Sequence, residues 1–125
     1  MTAAQNRTKM RRVEKLAAAL EAYLKSITEK EGRELGPDWG EGGRYNPVAD
    51  SGVWTGEKIA THAGGGGDVV LHYDGAGNDR FGYNSDGVAY YGCHQDRDAV
   101  EALGKKYGFF MEDLNSWSMG FYYEG

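Results

Sequence analysis

A chain of 125 residues with a formal net charge of −5 is long enough to bury one hydrophobic core without help from disulfides or a structural metal. Its single cysteine, Cys93, excludes an internal disulfide framework and is typical of a reducing compartment, so we expect a cytoplasmic protein. No apolar segment approaches the roughly 20 residues that a membrane-spanning helix needs, and we expect no membrane partner.

The charge is unevenly distributed along the chain. Residues 1–15 carry a net charge of +4, and the other 110 residues carry −9. The basic group includes Arg7, Arg11 and Arg12, which could contact phosphates or an acidic partner, or could simply be solvated at a helix end. We expect one domain over 1–125, divided into a helix (1–34), a glycine-rich irregular region (35–67) and a segment of β-hairpins, helix and final strand (68–125).

The first element is a long helix from Asn6 to about Glu34. Apolar residues recur there at alternating spacings of three and four, and strong helix formers fill most other positions. Gly32 marks its expected end. The apolar stripe consists of Met10, Val13, Leu16, Ala17, Leu20, Tyr23, Leu24 and Ile27. The same spacing suggests a possible homodimer through residues 10–27.

A glycine-rich region follows, in which 11 of the residues from 32 to 67 are glycine. Its aromatic residues, Trp39, Tyr45 and Trp54, argue against a plain flexible linker, so we expect an ordered loop. Strand-like patterns occur at Gly52–Thr55 and at 58–62.

From residue 68 onward the pattern changes to strands. Val69, Leu71 and Tyr73 alternate with polar positions, so we expect them to face the helices while His72 and Asp74 face outward. Glycine-rich turns then predict two further strands, around 81–83 and 88–91.

The last part of the chain combines a helix and a strand. A helix is predicted from Gln95 or Asp96 to about Tyr107, with Gly108 after its end. Strand character returns over 109–123. The predicted fold class is α+β: an antiparallel sheet of four to five strands, with the long N-terminal helix and the shorter second helix packed on one face.

Two short segments could carry acid–base or metal chemistry. His72 precedes Asp74 by two residues, as His94 precedes Asp96, and on a strand that spacing places both side chains on one face. A polar outer face explains the same pattern, so these residues stay candidates and no catalytic or metal site is assigned from them. Because zinc signatures, phosphate loops and dinucleotide fingerprints are absent, no cofactor is predicted.

Aromatic residues suggest a binding surface instead. Nine tyrosines and three tryptophans are many for this length, and Tyr90, Tyr91 and Tyr122 fall in both alternation sets of the predicted strands. Residues 68–125 carry a net charge of −6, which disfavours a nucleic-acid partner except through the basic N-terminal helix. Tyrosine and tryptophan are enriched at protein interfaces, although a tyrosine-rich core would use them equally well.

Our leading hypothesis is therefore a small acidic protein-binding module. It would occupy a partner protein's surface, such as a nucleic-acid-binding channel, as inhibitors from phages and mobile elements do. Two alternatives remain: a small hydrolase using His72, Asp74 and His94, with or without a metal, and a nucleic-acid binder using the basic N-terminal helix.

Overall fold

The computed structural model describes residues 1–35, 43–63, 66–75, 77–82 and 93–125, apart from the side chains of residues 63, 78, 79, 93 and 94. It confirms the α+β class, with a four-stranded antiparallel sheet, a long helix and a shorter one. In chain order the elements are α1 (Ala3–Glu31), β1 (Arg33–Glu34), β2 (Arg44–Tyr45), β3 (Gly52–Thr55), a π-helical turn (Ile59–Ala63), β4 (Val69–His72), α2 (Asn78–Phe81), α3 (Cys93–Lys106), β5 (Phe109–Asn115) and β6 (Ser118–Tyr123).

The long helix α1 begins three residues earlier than predicted because Thr2 caps it. The Thr2 hydroxyl accepts a hydrogen bond from the Gln5 amide at 3.0 Å, and the Gln5 side chain accepts one from the Thr2 amide at 2.7 Å. This reciprocal capping box satisfies backbone donors that would otherwise lack partners at the start of the helix. The helix ends at Glu31, about three residues before the predicted Glu34, and Gly32, the expected stopping point, caps it. A Cβ atom on Gly32 would lie 2.3 Å from the Thr28 carbonyl oxygen.

The main sheet has the strand order β3-β4-β6-β5, and all neighbours are antiparallel. Residues that pair across the strands share a face, so Val53, Leu71 and Met119 lie on one side of the sheet. Trp54, Val70 and Gly120 lie on the other. The strands β1 and β2 form a separate exposed two-stranded ribbon.

The helices α1 and α3 cover the first of these faces. Val69, Leu71 and Tyr73 are fully buried against them, which confirms their predicted orientation. The buried core consists of Val13, Leu16, Leu20, Leu24, Ile27, Val48, Val69, Leu71, Tyr73, Phe81, Val100, Phe109, Met119 and Phe121. Because α1 uses its apolar stripe in this core, only Met10 from that stripe is largely exposed, at 50%.

The C-terminal segment forms a hairpin of two strands where strand character over 109–123 was expected to form one final strand. The side-chain oxygen of Asn115 accepts hydrogen bonds from the Trp117 amide at 3.0 Å and from the Ser118 hydroxyl at 2.9 Å, which closes the turn between β5 and β6. Asparagine followed by serine is a turn signal that the alternation of apolar residues concealed.

Two other strand predictions were wrong. Phe81 lies in the helical turn α2 and is fully buried in the core, so the segment after β4 does not continue as a hairpin at that point. The segment 58–62, which was expected to be a strand, is helical, and its residue Ile59 is buried. Both segments are short, and their apolar patterns fit the period of a strand as well as that of a helix. In each segment the helical turn buries one large apolar side chain, Phe81 or Ile59. The strand expected over 88–91 lies outside the described residues.

The second helix, α3, begins at Cys93 and ends at Lys106, close to the predicted limits. Gly108 follows with a φ of 91°, the left-handed conformation that glycine adopts without strain. Within the described residues, no helix is long and apolar enough to cross a membrane.

Candidate functional site

An open cleft lies on the sheet face opposite α1 and α3. It has a volume of about 520 Å³ and contains two indoles, two imidazoles and two carboxylates. We call it the indole cleft, and its lining residues are Asp50, Trp54, His62, His72, Asp74, Gly75 and Trp117. A concave surface with large rings and a few convergent polar groups is the usual form of a ligand-binding site.

Trp54, in the edge strand β3, is the centre of the cleft. The His72 imidazole stacks on its indole with ring centroids 4.0 Å apart and planes inclined by 22°. His62, from the π-helical turn, stacks on the same indole at 5.2 Å and 30°. The Trp117 ring meets it edge-on at 6.2 Å and 78°. The four rings therefore form one cluster that joins four separate parts of the chain.

A glycine opposite His72 allows this stacking. Gly52 pairs with His72 across β3 and β4, and a Cβ atom there would lie 2.8 Å from the His72 Nε2 atom. Burial lowers the pKa of His72 from its ordinary value of 6.5. A hydrogen bond to the backbone of Asp50 opposes that shift, and the nearby His62 adds to it. His72 is consequently a neutral imidazole at neutral pH.

The turn between β5 and β6 places Trp117. Its amide is held by the Asn115 side chain, and its carbonyl accepts a hydrogen bond from the Tyr73 amide at 2.8 Å. Since Tyr73 directly follows β4, the turn is tied to the same strand that carries His72. Hydrogen bonds of its own amide and carbonyl groups thus fix the backbone of Trp117, in addition to the contacts of its ring.

The two carboxylates lie at the exposed rim. Asp50 has a φ of 62°, a left-handed conformation that aspartate and asparagine tolerate better than most residues. A Cβ atom on Gly75 would lie 3.4 Å from the Asp50 Oδ2 atom, so the Asp50 carboxylate packs against the Gly75 backbone. Asp74 is exposed on the same rim.

The structure brings His72 and Asp74 into one cleft, and it adds His62. Among the described residues, no side-chain hydrogen bond or ion pair joins the His72 imidazole to the Asp74 carboxylate. No cluster of three metal-ligating side chains exists within the described residues. The side chain of His94 lies outside them. The hydrolase alternative therefore stays a hypothesis. His72 and Asp74, both described by the structure, line the same cleft, but no hydrogen bond between them forms an acid–base pair.

Asp96, the other candidate, belongs to a polar network between the helices. It is only 7% exposed and accepts hydrogen bonds from the Tyr23 hydroxyl and from Arg80 Nε, the latter at 3.1 Å. Arg80 also binds Glu31 at the end of α1, at 2.8 Å. Burial, followed by the hydrogen bond to Asp96, raises the pKa of Tyr23. This network joins α1, α2 and α3, and none of its residues lines the cleft.

The predicted binding aromatics lie in three different places. Trp54 is in the cleft, whereas Tyr45 is exposed on β2 with the Arg33 guanidinium 5.3 Å from its ring centroid. Tyr122 stacks on the 40%-exposed Phe110 with centroids 5.1 Å apart. Burial, and then the charges of nearby carboxylates, raise the pKa of Tyr122. The structural surroundings of Trp39, Tyr90 and Tyr91 lie outside the described residues.

The basic candidates Arg7, Arg11 and Arg12 are all exposed on α1. Their neighbour Lys9 pairs with Asp68 at 2.8 Å, so part of the basic group is neutralised within the chain. Binding of nucleic acid through this end of α1 stays a prediction. So does the homodimer, for which the buried residues of the stripe are not available in this fold.

Sequence analysis missed Asp50, His62 and Trp117 as partners of His72. Asp50 and Trp117 lie in turns, and His62 lies in a segment that was expected to be a strand. The one available signal was composition. Together with His72 and Trp54, His62 and Trp117 make up two of the three histidines and two of the three tryptophans in the chain.

Comparison with known proteins does not assign the chain to a family. No protein family matches it, and no similar chain was found among curated proteins or among solved structures.

Proposed function

We propose that this chain is a small acidic protein-binding module and that its indole cleft binds a basic segment of a partner protein. The observation that carries the proposal is the cleft itself: Trp54 and Trp117 open on the same concave surface as the carboxylates of Asp50 and Asp74. Aromatic surface supplies contact area, and the carboxylates select for positive charge.

The two indoles have the properties of interface residues that dominate binding energy. Both are partly exposed, and both are held by neighbours: Trp54 by the stacked ring of His72, and Trp117 by the turn that follows β5. Large rings that are already ordered lose little conformational entropy when a partner binds. Tryptophan in such a position is the residue type most often found at binding hot spots.

The charge of the whole chain acts in the same direction. Beyond residue 15 the net charge is −9, so the field around the cleft attracts basic partners and accelerates their association. Basic surfaces are typical of proteins that bind nucleic acids. We therefore extend the proposal to a specific mode of action, in which the module covers a partner's nucleic-acid-binding surface and competes with the nucleic acid.

A peptide-display selection against the full chain tests the proposal. We expect the selected peptides to be enriched in arginine and lysine, because the cleft presents two carboxylates and, among the described residues, neither lysine nor arginine. Their affinity should fall about tenfold when Asp50→Asn and Asp74→Asn are combined, since two ion pairs are lost. Asparagine tolerates the left-handed backbone at position 50, so the double variant should keep the fold.

A matched control removes two carboxylates elsewhere on the surface. Asp98 and Glu124 are exposed and outside the cleft, and the combined Asp98→Asn and Glu124→Gln variant should bind the selected peptides like the unaltered chain. The proposal is wrong if the selection shows no basic enrichment, or if the peptides bind the cleft variant as tightly as the control.

A further inference from the structure

We infer that the indole cleft is a receptor for an arginine side chain, whose guanidinium stacks on an indole while it donates hydrogen bonds to the carboxylates at the rim. This inference rests on the proposed function and adds the chemical identity of the group that enters the cleft. Its basis is the geometry of the rings, the position of the carboxylates and the neutrality of His72.

The rings already show that flat nitrogen-containing groups fit against Trp54. The imidazole of His72 lies nearly parallel to the indole at 4.0 Å, and that of His62 lies at 5.2 Å with a larger inclination. His62 is exposed, so a ligand can displace its side chain without opening the core. A guanidinium is a planar group of similar width that stacks on aromatic faces in the same way.

Trp117 provides a second wall at a steep angle to the first. Its ring is inclined by 78° to Trp54, so the two indoles form a corner. A cation inserted in such a corner meets the face of one ring and the edge of the other. Only the faces carry the negative part of the ring quadrupole, and a planar cation can align with one face while its edge points toward the rim.

The rim of the cleft supplies hydrogen-bond acceptors for the edge of the planar cation. Asp50 and Asp74 both line the cleft, and the Asp50 carboxylate lies close to the Gly75 backbone. Because the lowered pKa leaves His72 neutral, its imidazole does not cancel their negative charge at neutral pH. Within the described part of the chain, no lysine or arginine lines the cleft, so the carboxylates are not neutralised from inside.

These features distinguish arginine from lysine. The lysine ammonium is a compact, strongly hydrated charge with no flat surface, whereas the guanidinium is weakly hydrated and carries a fork of donors that suits carboxylates. A cleft that offered carboxylates alone would accept both. A cleft that combines carboxylates with a parallel stacking surface favours arginine.

The test uses three capped tripeptides with glycine on either side of arginine, lysine or citrulline. Citrulline keeps the planar shape of arginine and lacks its charge. We expect the arginine peptide to shift the indole N–H resonances of Trp54 and Trp117 in the isotope-labelled full chain, and to bind about tenfold more tightly than the lysine peptide. The citrulline peptide should produce no saturable shift. The combined Asp50→Asn and Asp74→Asn variant should lose arginine binding, whereas the Asp98→Asn and Glu124→Gln control should keep it.

Arginine recognition is overturned if lysine or citrulline binds as tightly as arginine, or if the arginine peptide leaves both indole resonances unchanged. These outcomes are separable from failure of the proposed function. If display-selected basic peptides depend on the cleft carboxylates while the arginine tripeptide has no advantage over lysine, the inference alone fails. If no selected peptide depends on those carboxylates, the proposed function fails.

Discussion

At the scale of single residues, a missing side chain shapes the cleft. Gly52 pairs with His72, and the absence of a Cβ atom there lets the imidazole lie over the edge strand and reach the Trp54 ring. Glycine within a strand is less stabilising than alanine, and here it leaves room for the neighbouring His72 ring. The glycine is therefore part of the site although it makes no contact with a ligand.

The variant Gly52→Ala tests this role. Its new Cβ atom would lie 2.8 Å from His72 Nε2 and 3.2 Å from Cε1, so the imidazole must move away from Trp54. We expect a shifted Trp54 indole resonance and a several-fold weaker affinity for the display-selected peptides. The free energy of unfolding should change by no more than about 1 kcal/mol, because alanine suits a strand better than glycine.

Gly43→Ala is the matched control, since within the described residues a Cβ atom there meets only a Leu35 methyl group at 3.4 Å. It should leave both the indole resonance and the peptide affinity unchanged. An unshifted Trp54 resonance in Gly52→Ala would show that the glycine does not position His72.

At the scale of elements, the helices are held together by one arginine as well as by the core. Arg80, in the short helix α2, binds Glu31 at the end of α1 and Asp96 in the first turn of α3. Acidic residues at the end of α1 oppose the helix dipole, and Arg80 compensates one of them. Asp96 is nearly buried, so its charge depends on Arg80 and on the Tyr23 hydroxyl for its stability.

Replacing Arg80 with methionine should therefore destabilise the fold. The variant keeps most of the apolar side chain but leaves the Asp96 carboxylate without its ionic partner, and losing one partner of a largely buried pair costs about 3 kcal/mol. Chemical denaturation followed by circular dichroism measures the change in the free energy of unfolding.

Lys25→Met is the control for the same substitution in an exposed pair. Lys25 lies 4.0 Å from Glu29, and both side chains are mostly exposed, so its loss should cost less than about 0.5 kcal/mol. Equal effects of the two substitutions would mean that Arg80 does not link the helices in solution.

At the scale of the whole molecule, the acidic surface and the His72 imidazole in the cleft make binding dependent on pH. The pKa of His72 lies below its ordinary value because the ring is buried, and it stays neutral at neutral pH. A bound cation beside Asp50 and Asp74 disfavours protonation of His72 further. The unbound state then takes up more protons on acidification, so affinity falls as the pH falls.

We expect the affinity for display-selected peptides to decrease as the pH falls below about 6.5, because the lowered pKa of His72 places its protonation there. The variant His72→Gln should show a smaller decrease, because it lacks the imidazole that takes up the proton. Isothermal titration calorimetry at several pH values measures both curves. An affinity that rises on acidification, or identical profiles for the two proteins, would contradict a cation site next to His72.

Local patterns accounted for much of the architecture. The three-four spacing in α1 and the alternation of Val69, Leu71 and Tyr73 predicted which side chains face the core, because both periods follow from backbone geometry alone. The class of the fold followed from the order of these elements. Short segments such as that around Phe81 were assigned wrongly, since four apolar or polar residues fit a strand and a helical turn equally well.

The sequence by itself determined α1, the inward face of β4 and the placement of His72 and Asp74 on the opposite side. Only the tertiary structure decided that Trp54, His62 and Trp117 meet there. Their meeting depends on the order β3-β4-β6-β5 and on the turn after β5, which bring together residues more than 60 positions apart in the chain. No local periodicity carries that information, because strand order is set by the burial of the whole core.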